Sequence, residues 1–273
     1  MAKVIAVAIS KGGVGKTTTA INLAAKFGLN GKKVLLVDTD EQGNATYSAT
    51  GLSKTEFADK GIFDMIRSFR IVSPKQFVSP TLIPNVDIIP ANTLTSQILH
   101  QLPILAMQYK RAEYVYLDIC LEQIKDDYDL IIIDTPPAKN SLTLSAIYAA
   151  DGVLIPVKPD KYSMDSLGET VAMIDNINND EGTNIAIFGI LLTMVEKTSL
   201  ANALREVLFQ SEYQPYILDA EIRKGQAVND STVIGKPLVM YDKRSNPSID
   251  YQTLYVAVAN KLEELQNEEN KGE

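Results

Sequence analysis

Short runs of consecutive apolar residues recur along the chain: Val4 to Ile9, Val34 to Val37, Val86 to Ile89, Leu130 to Ile133, Val153 to Val157 and Ile185 to Leu192. Apolar side chains on successive rather than alternate positions predict strands covered on both faces, as in a parallel sheet. Between most of these runs the apolar positions recur at helical spacing. Helices are predicted over 17–29, 113–125, 141–149, 163–178 and 199–209. The alternation predicts an α/β fold, a doubly wound, mostly parallel sheet whose ligand sits at the carboxyl ends of the strands. A further apolar stripe, Leu254 to Leu265, is expected to pack against that sheet. No internal repeat or linker interrupts the pattern. Residues 1–266 therefore read as one domain, followed by an acidic, polar end over 267–273 that is expected to fray.

Composition narrows the class. With 45% hydrophobic and 22% charged residues in 273, the chain has enough apolar surface to fold. No apolar stretch approaches the roughly 20 residues that span a bilayer, and the first residues do not form a secretory leader. A cytoplasmic protein is expected. Cys120 is the only cysteine, so no disulfide can close within the chain, and it reads as a small buried hydrophobe on a helix. One cysteine and one histidine, His100, also supply neither an iron–sulfur nor a structural zinc site. His100 reads as an ordinary helix residue.

Chemistry enters at the end of the first predicted strand. Lys11, Gly12, Gly13, Val14, Gly15, Lys16, Thr17 and Thr18 stand between that strand and a helix. Glycines let the backbone curl until successive N–H groups face phosphate oxygens, and the helix dipole favours their charge. Lys16 is placed to reach the β and γ phosphates, and Thr17 to offer its hydroxyl to Mg²⁺. Two later strands end in acids, Asp38 and Asp40 after Val37, and Asp134 after four apolar residues. A carboxylate at a strand end is what a P-loop nucleoside triphosphatase needs to hold its metal, and Asp134 is the natural choice.

The loop departs from the strict P-loop pattern, with Ser10 at the first glycine and a second lysine, Lys11, inside it. This deviant Walker A arrangement resembles the ParA/MinD group of ATPases. The resemblance extends to Asp38–Thr46, Val86–Asn92, Tyr128–Pro137, Ala150–Val157 and Gly235–Leu238, and is nearest to the ParA/Soj type of plasmid and chromosome partition ATPase. Thr39 and Glu41 replace the Leu and Pro usual in its second acidic segment, while both aspartates stay in place. The resemblance implies ATP and Mg²⁺ as ligands, with the metal held by Thr17, Asp38 and Asp134. It gives Lys11, Lys16 and Asp40 catalytic roles, Asp40 by positioning water and Lys11 by crossing to the ATP of a partner subunit. Thr193, Met194, Ile222 and Arg223 are expected to line the base.

The same resemblance implies a sandwich homodimer formed on ATP binding, nonspecific DNA binding on the nucleoid, and hydrolysis stimulated by a ParB-like centromere-binding protein. A net charge of −8 does not favour DNA overall, but a local basic strip suffices. Lys197, Arg205, Arg223, Lys224, Lys236, Lys243 and Arg244 are the residues expected to form it. The loop starts within about ten residues of Met1, which leaves no room before it for a helix-turn-helix. A MinD-like positioning ATPase is the alternative. It would require a basic amphipathic helix at the C-terminus, whereas Glu263, Glu264, Glu268, Glu269 and Glu273 would be repelled by anionic lipid, so no membrane partner is expected. A metabolic P-loop enzyme lacks a visible substrate site, and a purely structural ATP binder would not need Asp40.

Overall fold

The computed structural model describes residues 1–272, with the side chains of 268–272 excepted. Strand β1 (Lys3–Val7) is followed by α1 (Lys16–Leu29), β2 (Val34–Asp38), α2 (Asn44–Thr50), α3 (Ile62–Arg67), β3 (Ser79–Pro80), β4 (Val86–Ile89), α4 (Ile98–Tyr109) and α5 (Tyr116–Glu122). Then come β5 (Leu130–Asp134), α6 (Ser141–Tyr148), β6 (Gly152–Val157), α7 (Ser163–Glu181), β7 (Ala186–Val195), α8 (Ser199–Phe209), β8 (Ile217–Arg223), α9 (Gln226–Ile234), α10 (Leu238–Tyr241) and α11 (Asn246–Gly272). They form one sheet in the order β3-β4-β2-β5-β1-β6-β7-β8, parallel except for the β3–β4 pair.

The doubly wound expectation is met for a physical reason visible in the strands. Every residue of β2, β5 and β6 is buried, so these central strands need helices on both faces. One face packs against α3, α4, α5 and α6 through residues such as Ile66, Leu102, Leu117 and Ala146. On the opposite side α1 and α11 cover the sheet, with Leu23, Phe27, Tyr251, Leu254 and Val258 in one cluster. The apolar stripe of the last helix therefore packs inward, as its spacing predicts.

One predicted element differs. The helix expected over 113–125 is a 3₁₀ turn at Glu113–Val115, then α5, then a second 3₁₀ turn at Lys125–Asp127. The chain must turn there to enter β5, and tertiary packing overrides the helical period. The acidic end expected to fray lies, from residue 268 onward, outside the residues described in full. His100 lies exposed on α4, and Cys120 is fully buried on α5, where burial pushes its thiol up to about 12.

Candidate functional site

Register brings the acidic strand ends together. Val7, Asp134 and Asp38 are neighbours across β1, β5 and β2. Threonines lock this row. The Thr39 N–H and hydroxyl both donate to the Asp134 carbonyl at 3.1 and 2.6 Å, and the Thr135 hydroxyl donates to the Val7 carbonyl at 2.9 Å.

From Val7 the chain enters the phosphate loop. Gly13 and Gly15 have φ of 70° and 85°, left-handed values that a side chain disfavours. The Thr193 hydroxyl donates to the Val14 carbonyl at 2.8 Å, tying the loop to the end of β7. No side chain caps α1, so its leading N–H groups remain open to an anion. Lys16 is buried at the same point and donates from Nζ to the Lys11 carbonyl at 2.8 Å. Burial lowers its pKa, while Asp134 and Asp40 act in the opposite sense. A cavity of about 390 Å³ opens over Gly13, Gly15, Lys16, Thr17 and Thr18 and also touches Asp40 and Lys236.

The two strand-end carboxylates are treated differently by the fold. Asp38 Oδ2 accepts the N–H and hydroxyl of Thr46 at 2.8 and 2.7 Å, and Oδ1 accepts the Asp40 N–H at 3.1 Å. Burial nevertheless pushes its pKa up to about 6. Asp134 is fully buried with neither carboxylate oxygen hydrogen-bonded. Burial first, then the neighbouring Asp38, raises it well above the carboxylate range; the Thr17 hydroxyl and then Lys16 act against this. An orphaned carboxylate next to a second one and a threonine hydroxyl is a hard oxygen set that suits Mg²⁺. Asp40 lines the cavity and is steered by the Gln42 N–H, which donates to its Oδ1 at 3.0 Å.

Lys11 takes a course the sequence does not announce. Its ammonium is ion-paired with Asp160, in the turn between β6 and α7, and lies 6.0 Å from the exposed Tyr162 ring. Asp160 Oδ1 also accepts the Tyr162 N–H and the Ser163 hydroxyl at 3.1 and 3.0 Å. Burial raises the Asp160 pKa, but these donors outweigh it and hold the carboxyl below its ordinary value.

The four residues expected at the base do converge. Thr193, Met194, Ile222 and Arg223 line a second cavity of about 180 Å³, which shares Gly15, Thr18 and Met194 with the first. Met194 holds φ at 51°, a left-handed value rare for a side chain of that size. Lys224, Gly225 and Gln226 continue the wall, and Tyr251 of α11, Val228 and Asn229, which were not foreseen, complete it. Their only signal is an apolar position in a long amphipathic helix and an unremarkable helix start.

The seven basic residues fall into two sets. Arg205 pairs with Glu221 at 2.7 Å, Lys224 with Glu196 at 3.0 Å, and Arg223 is bidentate to Asp250, with contacts of 2.6 and 2.9 Å. Lys197, Lys236, Lys243 and Arg244 are exposed without an ion pair among the described residues. Lys243 stands close enough to Lys26 to help lower its pKa, after burial.

Comparison with known proteins agrees with this geometry. The AAA domain family matches residues 2–187. The sporulation initiation inhibitor protein Soj of Bacillus subtilis is 34% identical over 95% of this chain and 99% of its own length. The chromosome partitioning protein ParA of Caulobacter vibrioides is 31% identical over 92% of each. In fold the chain resembles cobyrinic acid a,c-diamide synthase of Mycobacterium smegmatis, solved with ADP and magnesium, at a TM-score of 0.80 and 24% identity over 96% of each chain. That likeness speaks to fold alone, since one architecture serves unrelated reactions. With a deviant phosphate loop, paired strand-end aspartates and relatives matched along nearly the whole length, the chain belongs to the ParA/Soj-type partition ATPases of the ParA/MinD group.

Proposed function

We propose that this chain is the ATPase of a DNA partition system. The observation that carries the reading is Asp134, a buried and unpartnered carboxylate beside Asp38 and the phosphate loop. Such a group is costly in a fold that never receives a cation there. Thr17, Asp38 and Asp134 would hold Mg²⁺, which when bound neutralises charge on the β and γ phosphates. Lys16 and the N–H groups of Gly13 to Thr18 bind the phosphates, and Thr193, Met194, Ile222 and Arg223 enclose the base. Asp40 accepts a hydrogen bond from the attacking water and aligns it with the γ-phosphorus, whose bond to the bridging oxygen then breaks.

In this reading Lys11 serves the nucleotide of a second copy, so its pair with Asp160 must open on dimerisation. The ATP-bound homodimer binds DNA without sequence preference in the cytoplasm, on the nucleoid, and a ParB-like centromere-binding protein stimulates hydrolysis. Lys197, Lys236, Lys243 and Arg244 supply unengaged charge. Lys224 can trade the exposed Glu196 carboxylate for a phosphate at little cost, whereas Arg205 would leave the buried Oε2 of Glu221 unpaired. Arg223 would first have to leave Asp250.

Fluorescent nucleotide titration combined with phosphate release tests the division of labour. Lys16→Ala is expected to lose nucleotide binding, whereas Asp40→Ala keeps it and slows hydrolysis at least about a hundredfold, as for loss of a positioned catalytic group. Equal loss of ATP affinity in both variants would remove the role assigned to Asp40.

A further inference from the structure

Helix α4 is apolar on the wrong side. Its sequence, Ile98-Leu-His-Gln-Leu-Pro-Ile-Leu-Ala-Met-Gln-Tyr109, contains no Lys, Arg, Asp or Glu. Ile98, Leu102 and Leu105 face the core, as helical spacing requires. Yet the solvent side, beside the polar His100 and Gln108, also carries large apolar side chains: Met107 is 80% exposed, Ile104 51% and Leu99 37%. An uncharged helix that exposes several large apolar side chains marks a surface suited to a partner. Ile71, beyond α3, adds a further side chain that is 87% exposed.

The charge around this helix is equally one-sided. Between residues 65 and 112 the chain has five cations, Arg67, Arg70, Lys75, Lys110 and Arg111, and a single carboxylate, Asp87, although the whole chain is at −8. Asp87 is engaged by the Tyr128 hydroxyl at 3.1 Å, and the next acid, Glu113, by the Ser141 hydroxyl at 2.6 Å. Lys75 is paired with Asp127. Arg67, Arg70, Lys110 and Arg111 are exposed and have no ion pair among the described residues. The Arg70 guanidinium lies 4.6 Å from the centre of the Tyr109 ring, and Arg67 lies 5.7 Å from that of Phe63. Phe69 meets Tyr109 edge to face at 5.2 Å, which joins the end of α3 to the end of α4. A guanidinium held on a ring loses little freedom when its fork takes a carboxylate.

We propose that this face docks an acidic amphipathic segment of a partner protein, with apolar side chains against Leu99, Ile104, Met107 and Ile71 and carboxylates on Arg67, Arg70, Lys110 and Arg111. Charge complementarity selects this occupant: the surface joins unpaired cations to apolar side chains, and the partner must bring both opposites. Exposed Met suits it, because the flexible thioether adapts to irregular apolar partners. A bilayer fits less well. Four side chains on a globular wall offer much less apolar area than an interfacial helix, and membrane binding scales with that area. The inference does not rest on the proposed partition function, because no residue in it touches the nucleotide site.

The test uses the full chain and a labelled helical peptide with Leu at every third or fourth position and Glu elsewhere, followed by fluorescence anisotropy. Saturable binding that weakens with salt is expected. It should weaken about tenfold in Arg70→Ser/Arg111→Ser, which removes charge, and similarly in Ile104→Ser/Met107→Ser, which removes apolar contact. Circular dichroism melts and unchanged nucleotide affinity establish that both variants fold. The proposal is overturned if the peptide does not bind, if a Lys-for-Glu peptide binds equally well, or if neither variant weakens binding. Tighter binding to phosphatidylglycerol vesicles or to a DNA duplex, lost in the same variants, would assign the face to a membrane or a nucleic acid. Self-association abolished by Ile104→Ser/Met107→Ser would assign it to a second copy.

Discussion

Replacing Asp134 with Asn should make the metal-free protein more stable. The magnitude follows from its neighbour. Asp38, fully buried but holding three hydrogen bonds, has its pKa raised from about 3.8 to about 6. A shift of about two units corresponds to about 3 kcal/mol, by which the ionised group opposes folding at neutral pH. Asp134 is equally buried with no hydrogen bond, and it faces Asp38 besides, so its ionised form opposes folding at least as strongly. The amide leaves a buried polar group imperfectly paired, at about 1–2 kcal/mol, although the Asp38 carboxylate can accept from it. A net gain of about 1–3 kcal/mol at pH 7.5 is expected, or about 2–4 °C in Tm per kcal/mol for a chain of this size. Both aspartates have raised folded pKa values, so the folded state binds more protons than the unfolded one between about 3.8 and 6 or higher. The stabilising effect of protonation is present in acid and is lost as pH rises through the folded values. The difference between variant and wild type should therefore shrink towards pH 5. Urea unfolding in EDTA at both pH values reads this directly. A variant less stable than wild type at pH 7.5, or a difference independent of pH, would refute the picture of an unpartnered buried charge.

Other outcomes follow from packing. A β-carbon on Gly28 would stand 2.3 Å from the Pro84 carbonyl oxygen, so Gly28→Ala should destabilise by at least about 2 kcal/mol in the same unfolding assay. Cys120, with its buried thiol pushed up to about 12, should resist iodoacetamide in the folded protein at pH 8 and react once urea unfolds it, as read by intact mass. Lys11→Ala should bind ATP as a monomer, whereas Asp160→Asn, which weakens the pair within one chain, should dimerise with ATP at lower protein concentration than wild type. Analytical ultracentrifugation distinguishes the two, and identical behaviour would deny the pair any part in assembly.

The central strands were legible because they are covered on both faces and so run as unbroken apolar stretches up to the aspartates that end β2 and β5. Strand β8 escaped for the opposite reason. At the sheet edge it is only partly buried, so Ile217-Leu-Asp-Ala-Glu-Ile-Arg223 mixes polar and apolar positions into no clean period. Helix α4 was given no bounds, although His100 read as a helix residue, because Pro103 lies in its interior and its apolar pattern does not alternate with polar positions. In the site, local motifs placed Lys16, Thr17, Asp38, Asp40 and Asp134 because each sits in a loop or at a strand end next to its partners. What depends on distant segments was not readable. The pairing of Lys11 with Asp160 joins residues 149 apart, and Thr46 reveals itself as the group orienting Asp38 only when α2 folds back over β2.

Sedimentation velocity of the pure protein with ADP, with ATP, and with ATP plus an unrelated DNA duplex at several salt concentrations tests the partition reading most directly. ATP alone, with Mg²⁺, should produce a dimer that Asp40→Ala makes persistent. Only that dimer should shift with DNA, whatever the sequence, and its affinity should fall with salt at a logarithmic slope of about −0.9 for each phosphate contacted. A monomer that is unchanged by ATP, or a complex confined to one DNA sequence, would contradict the account.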